Sequence, residues 1–142
     1  MSSKREQILA ALAAKLTAAP AIATTVERSR VAAFTRADGL CVWVEPVQDN
    51  ASQIVIPLLD WEMIVRVGIV ARGAVPDQVA DPVVSAVHAR IMSDLTLAGL
   101  CYDIQPRSTV WQLLDADNAA VVVTSEFAVL YRTNLQTIAE AA

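Results

Sequence analysis

The residues able to do chemistry are few and lie far apart in the chain. There is one histidine, His88, and there are two cysteines, Cys41 and Cys101. A zinc site built on His88 would draw on Asp77, Asp81 and Cys101, with no second histidine to complete the nitrogen and sulfur ligands that such sites use. As a general base, His88 would need an orienting partner and a pocket, and the sequence nominates neither; an ordinary boundary histidine asks for nothing more. Cys41 as a nucleophile would need His88 beside it to hold a thiolate. Its place at the start of an apolar stretch predicts a buried, inert thiol instead, and the same holds for Cys101. Asp115 and Asp117 form a carboxylate pair two residues apart. Acid and base roles require two carboxylates in different environments, whereas DADN at 115–118 has the composition of a tight turn and lacks most of the ligands of a calcium loop. No glycine-rich phosphate loop, nucleophile elbow or paired-histidine metal motif occurs in a chain with 4 glycines. These residues imply no enzyme, no cofactor and no metal.

The remaining charged residues sit on strand-like segments. In residues 60–72, DWEMIVRVGIVAR, the positions Trp61, Met63, Val65, Val67, Ile69 and Ala71 alternate with Asp60, Glu62, Ile64, Arg66, Gly68, Val70 and Arg72. In residues 119–132, Val121, Val123, Phe127, Val129 and Tyr131 alternate with Val122, Thr124, Glu126, Ala128 and Leu130. Successive side chains on a strand point to opposite faces, so each segment has one apolar face for the core and one mixed face. Charges set among apolar side chains, as at Glu62, Ile64, Arg66, Val70 and Glu126, have the composition of a subunit contact. Arg28, Arg30 and Arg36 add a local basic cluster.

Length and composition bound the rest. At 142 residues the chain is one domain, and a chain this size buries roughly 68–70% of its unfolded surface without help from disulfides or metals. The composition is 55% hydrophobic and 18% charged, which is globular. Uncharged runs reach only about a dozen residues, short of the roughly 20 a spanning helix needs. The amino-terminal stretch, interrupted by Glu6, Gln7 and Lys15, predicts a helix and not a signal peptide. The net charge of −4 argues against general nucleic-acid binding, and 5% aromatic residues make a poor base-stacking platform.

The expected elements, in order, are helix, strand, strand, strand, helix, strand, strand. Residues 3–16 predict an amphipathic helix capped by Ser2 or Ser3. Residues 24–31 and 40–45 predict a hairpin with a long basic connection around Asp38-Gly39, the second strand either ending at Pro46 or lying at an edge there, and a polar loop filling 48–53. The long strand ends at Gly73. The main helix is expected at 82–92 with Asp81 as its cap and one preceding turn from Pro76 at a kink. A strand over 100–114 should bulge or lie at an edge at Pro106, and the last strand, ending at Tyr131, should run antiparallel to it. The fold class is α+β: a single mixed, largely antiparallel sheet of about five strands with two helices on one face.

The order of elements and several phrases resemble the tail terminator family of long-tailed bacteriophages, also called minor tail protein U-like or tail completion proteins. The phrases are KREQILAAL at 4–12, ERSRV at 27–31, DWEMIVRVGIVARG at 60–73, DPVVSAVHARIMSD at 81–94, DADN at 115–118 and FAVLYRT at 127–133. The resemblance implies a structural protein, not an enzyme. It implies a subunit of a ring, usually hexameric, that sits on the end of the tail tube, stops its polymerisation and joins it to the head. The implied partners are other copies of the chain, which can stay monomeric when free where the ring assembles only on its target, the tail tube protein and the head–tail connector protein, with no membrane and no specific nucleic acid. The implied location is the bacterial host cytoplasm during assembly and then the virion tail. Two other classes stay open on the residues alone. A small-molecule-binding or enzymatic domain would need a pocket built on His88, Cys41 or paired carboxylates. A nucleic-acid accessory protein would need Arg28, Arg30, Arg36 and Arg107 in one patch.

Overall fold

The structure is a computed structural model that describes residues 2–29, 39–53, 55–114 and 119–138. Its elements are α1 (Lys4–Thr17), β1 (Thr25–Arg28), β2 (Cys41–Ser52), β3 (Leu58–Arg72), α2 (Pro76–Met92), β4 (Asp103–Leu114) and β5 (Ala120–Asn134). The five strands form one sheet in the order β1-β2-β3-β5-β4. The β1–β2 pair is parallel and the other three pairs are antiparallel. The expected class and element order are therefore what the chain adopts.

The alternation in β3 and β5 sets the sheet's two faces. Met63, Val65, Val67, Ile69 and Ala71 of β3 are buried and stand opposite Val129, Phe127, Ser125, Val123 and Val121 of β5. Ile8, Leu9, Leu12 and Leu16 of α1 and Val83, Val87 and Ile91 of α2 pack on this face and join it in one core. At about 1.5–3 kcal/mol per fully buried aliphatic side chain, this cluster is the main stabilising feature. Ser3 caps α1, its Oγ accepting from Glu6 N–H at 3.2 Å. At the other end Arg90 of α2 donates to the carbonyls of Lys15, Leu16, Ala18 and Pro20, closing the α1 terminus from the neighbouring helix. Lys15 Nζ donates to Ser93 Oγ at 2.9 Å, a second tie between the helices.

Three expectations about the elements need correcting. β1 and β2 are not a hairpin: they run parallel, with Thr25 beside Cys41 and Arg28 beside Val44. A parallel pair needs a crossover of a dozen or more residues, which the stretch between Arg28 and Cys41 supplies. The turn expected there at Asp38 lies outside the described residues, as does the DADN turn at 115–118. Of the two outcomes expected at Pro46, the strand does not end: β2 continues to Ser52, past Val44 where its pairing with β1 stops, with a register shift between Pro46 and Gln48 that accommodates the proline, so the expected loop at 48–53 is strand through Ser52. Finally, α2 is one helix from Pro76, with Pro82 inside it and Val75, not Asp81, in the cap position. Pro76 has the first-turn position in which a proline loses nothing. The expected bulge at Pro106 is present, and β4 is an edge strand. The β3–α2–β4 unit joins two strands of the same direction, with β5 inserted between them.

Candidate functional site

Register brings together, on the face of the sheet away from the helices, residues that are far apart in sequence. Arg66 of β3 lies directly between Glu45 of β2 and Glu126 of β5. Its Nη1 is 3.5 Å from Glu45 Oε1 and its Nη2 3.5 Å from Glu126 Oε1. One turn of the pleat away, Ile64 is half-buried between Gln48 and Ala128. Next, Glu62 Oε2 accepts from Arg107 Nη2 at 3.2 Å. At the strand's start Arg132 Nε donates to Asp60 Oδ1 at 2.5 Å and its guanidinium lies 5.5 Å from the centre of the Tyr102 ring. The hydrogen bond to Asp60 raises the Arg132 pKa, and burial raises that of the Tyr102 hydroxyl. The result is a row of partly exposed ion pairs with half-buried apolar side chains between them.

The other end of the same face is closed. Val70 packs with Cys41, Trp43 and Val122 in a small second cluster and is 1% exposed. Val70 was expected among the contact residues, but its side chain offers no surface. The Trp43 indole occupies the space above Gly68, where a side chain would otherwise stand. Arg28 lies on β1 at the far edge of the sheet, and both its terminal nitrogens donate to the Glu6 carboxylate of α1 at 3.1 Å. It is thus separate from the β3 row, while Arg30 and Arg36 fall outside the described residues. Glu62, Ile64, Arg66 and Glu126 do come together on one face. Sequence reasoning did not single out Glu45, whose role depends on the β2–β3 register, or pair Arg107 with Glu62, which the Pro106 bulge makes possible.

On the helix side, the buried Tyr131 ring stacks on Trp61 at 6.1 Å and its hydroxyl donates to Asp49 Oδ2 at 3.4 Å. Arg5 of α1 donates to the same carboxylate oxygen. Burial first, then the Asp49 charge, pushes the Tyr131 hydroxyl up to about 12. This network ties the start of α1 to β2 and β5, and Arg5 and Asp49 border a cleft of about 310 Å³ with Pro46, Val47 and Gln48.

The nucleophile and metal arrangements do not assemble. Cys41 belongs to the helix-free face, whereas His88 stands on α2 beside Phe127, 6.3 Å between ring centres, on the opposite face. The sheet stands between them. Cys101 is buried next to the turn that follows α2, and burial raises its thiol to about 11, far from a thiolate. Among the described residues no group of three or more histidine, cysteine, aspartate or glutamate side chains is placed to hold a metal ion. Among them, too, no helix is long and apolar enough to cross a membrane. Two clefts border β4: one of about 570 Å³ between the start of α2 and the end of β4, and one of about 370 Å³ beside His88 and Ser125. No protein-family model matches the chain, and no curated protein matches it either.

Proposed function

We propose that this chain is a structural subunit of a phage or prophage tail, forming a ring on the end of the tail tube that ends tube growth and offers the surface for head joining. The observation that carries the proposal is the row Glu45–Arg66–Glu126 and Glu62–Arg107 with Ile64 between, on a sheet face that neither helix covers. Ion pairs that remain partly exposed can exchange partners when a second surface arrives, and such pairs contribute to register and specificity more than to the fold. The resemblance in element order and phrases supports the same reading. The ring is made of copies of this chain, binds the tube protein on one side and the head–tail connector on the other, assembles in the host cytoplasm and remains in the virion. The test is incubation with purified tail tubes, scored by electron microscopy and co-sedimentation. The wild-type chain should cap tube ends, and Arg66→Glu or Glu126→Lys should abolish capping while far-ultraviolet circular dichroism stays that of the wild type. A folded wild-type chain that never binds tube ends rejects the reading.

A further inference from the structure

Besides single exposed residues such as Val47 and Leu95, large apolar side chains open to solvent gather at two places that lie at opposite ends of the sheet. The first is the second half of β4. Val110, Trp111, Leu113 and Leu114 are all exposed there, Leu113 by 66%. Trp111 and Leu113 stand opposite Val123 and Val121 on the helix-side face, and Val110 and Leu114 stand opposite Thr124 and Ala120 on the other face. Among the described residues β4 is at the margin of the sheet, paired with β5. Edges are ordinarily blunted by prolines, charges and bulges. Here Pro106, Arg107 and the register shift protect the first half, while residues 108–114 contain no proline and no charge. Beside this bare half, the 570 Å³ cleft has Trp111, Leu113 and Pro82 as its apolar lining and Asp77 and Asp81 as an acidic rim.

The second place is the tip between β2 and β3, with the chain that follows β5. Val55 and Leu135 are exposed, and Ile56, at 76%, is the most exposed large hydrophobic residue among those described. Leu135 N–H donates to the Pro57 carbonyl at 2.7 Å, which holds the two segments side by side. Arg132 adjoins Val55 in a shallow cleft and stays 47% exposed despite its pairing with Asp60. β3, 15 residues long, runs from this tip to the α2 end of the sheet, and at about 3.3 Å per residue the two patches are roughly 45 Å apart. One folded copy cannot bring them together.

We propose that the tip of one copy, Val55 and Ile56, seats on the bare half of β4 of the next copy against Trp111 and Leu113, with Arg132 facing Asp77 and Asp81. The occupant is a second copy because the chain itself carries the complement: an apolar tip beside a cation for an apolar edge beside two carboxylates. The apolar exposure on both faces of β4 suits a segment arriving edge-on, since a helix laid on one face would leave Val110 and Leu114 bare. The sheet's other margin, β1, is four residues long and charged, with Arg28 held by Glu6, as a protected edge should be. Two different patches on each subunit make a head-to-tail contact, which closes as a ring or continues as a filament. The inference rests on the ring reading for its biological setting.

The experiment is sedimentation velocity at concentrations up to on the order of 1 mM, on the wild type and on Ile56→Glu and Leu113→Glu, both at exposed positions. The wild type should associate reversibly. Each variant should weaken association at least about tenfold, as loss of a central apolar anchor does. An equimolar mixture of the two variants should give a dimer and nothing larger, because each pair retains one intact tip and one intact edge. A wild type that stays monomeric throughout, an Ile56→Glu variant that associates as well as the wild type, or a mixture of folded variants without a dimer would overturn the contact. The tail-tube assay separates this from the ring reading. Capping by Ile56→Glu at wild-type level removes the contact and leaves the reading. Wild-type association as proposed, with no binding to tube ends, keeps the contact and removes the reading.

Discussion

The indole of Trp43 and the backbone of Gly68 are in such close contact that a Cβ at Gly68 would lie 1.9 Å from Trp43 Cζ2. The two residues are direct cross-strand partners in the β2–β3 register. The glycine is therefore required by its neighbour's size. Gly68→Ala should lower stability by about 1–3 kcal/mol, the usual cost of overpacking, read as a fall in the urea midpoint. In a Trp43→Ala background the same change should cost under about 0.5 kcal/mol, because the strain is a property of the pair. Equal costs in both backgrounds would refute the relationship.

Arg66 should matter to assembly far more than to folding. Its two ion pairs are long, at 3.5 Å each, and its side chain is 38% exposed. Arg66→Gln should cost no more than about 1 kcal/mol and yet reduce tube capping severely. A large loss of stability with capping intact would place Arg66 in the scaffold instead.

Arg90 should be worth more to stability than a surface arginine. Its guanidinium satisfies carbonyls at the end of α1 that have no partner within the helix. Arg90→Ala should destabilise the chain by about 1–3 kcal/mol, with faster amide exchange in the last turn of α1. Arg90→Lys keeps the charge without the planar fork and should recover only part of the loss. Unchanged exchange in that turn would count against the capping role.

Alkaline pH should weaken the fold in two overlapping steps. Cys101 is raised to about 11, chiefly by burial, and Tyr131 to about 12, by burial and then the Asp49 charge. For both groups the folded state holds the proton over a range in which the unfolded chain has lost it. Stability is therefore fully present below the unfolded values, 9.0 for the thiol and 10.0 for the phenol, and is lost as pH rises through the folded ones. The Tyr131 step amounts to roughly 2–3 kcal/mol between about pH 10 and 12. Tyr131→Phe should flatten that part of the stability curve, and a curve identical to the wild type would refute it.

Much of the architecture is legible along the chain because its causes are local. The period-two alternation of Trp61 to Ala71 and of Val121 to Tyr131 marks the two long strands, and they are the paired centre of the sheet. Ile8, Leu9, Leu12 and Leu16, with Ser3 before them, mark α1. Pro106 marks the bulge in β4. Local signals misled where a distant partner decided the outcome. Pro46 reads as a strand end or an edge, and β3, which continues beside it as far as Leu58, keeps β2 extended through Ser52, with one register shift absorbing the missing donor. Asp81 before Pro82 reads as a helix start, yet Pro76 begins the helix and packing of Ala80 and Val83 carries it through Pro82.

The candidate surface divides in the same way. Periodicity alone determined that Glu62, Ile64, Arg66 and Val70 share a face, because alternation is a property of every strand. Only the register decided that Glu45 and Glu126 flank Arg66, that Arg107 reaches Glu62 and that Val70 is covered, because cross-strand neighbours are set by pairing between segments far apart in sequence. The bare second half of β4 was not readable in sequence either. Trp111 and Leu113 are composed like core residues, and it is the position of β4 at the margin of the sheet that leaves them exposed.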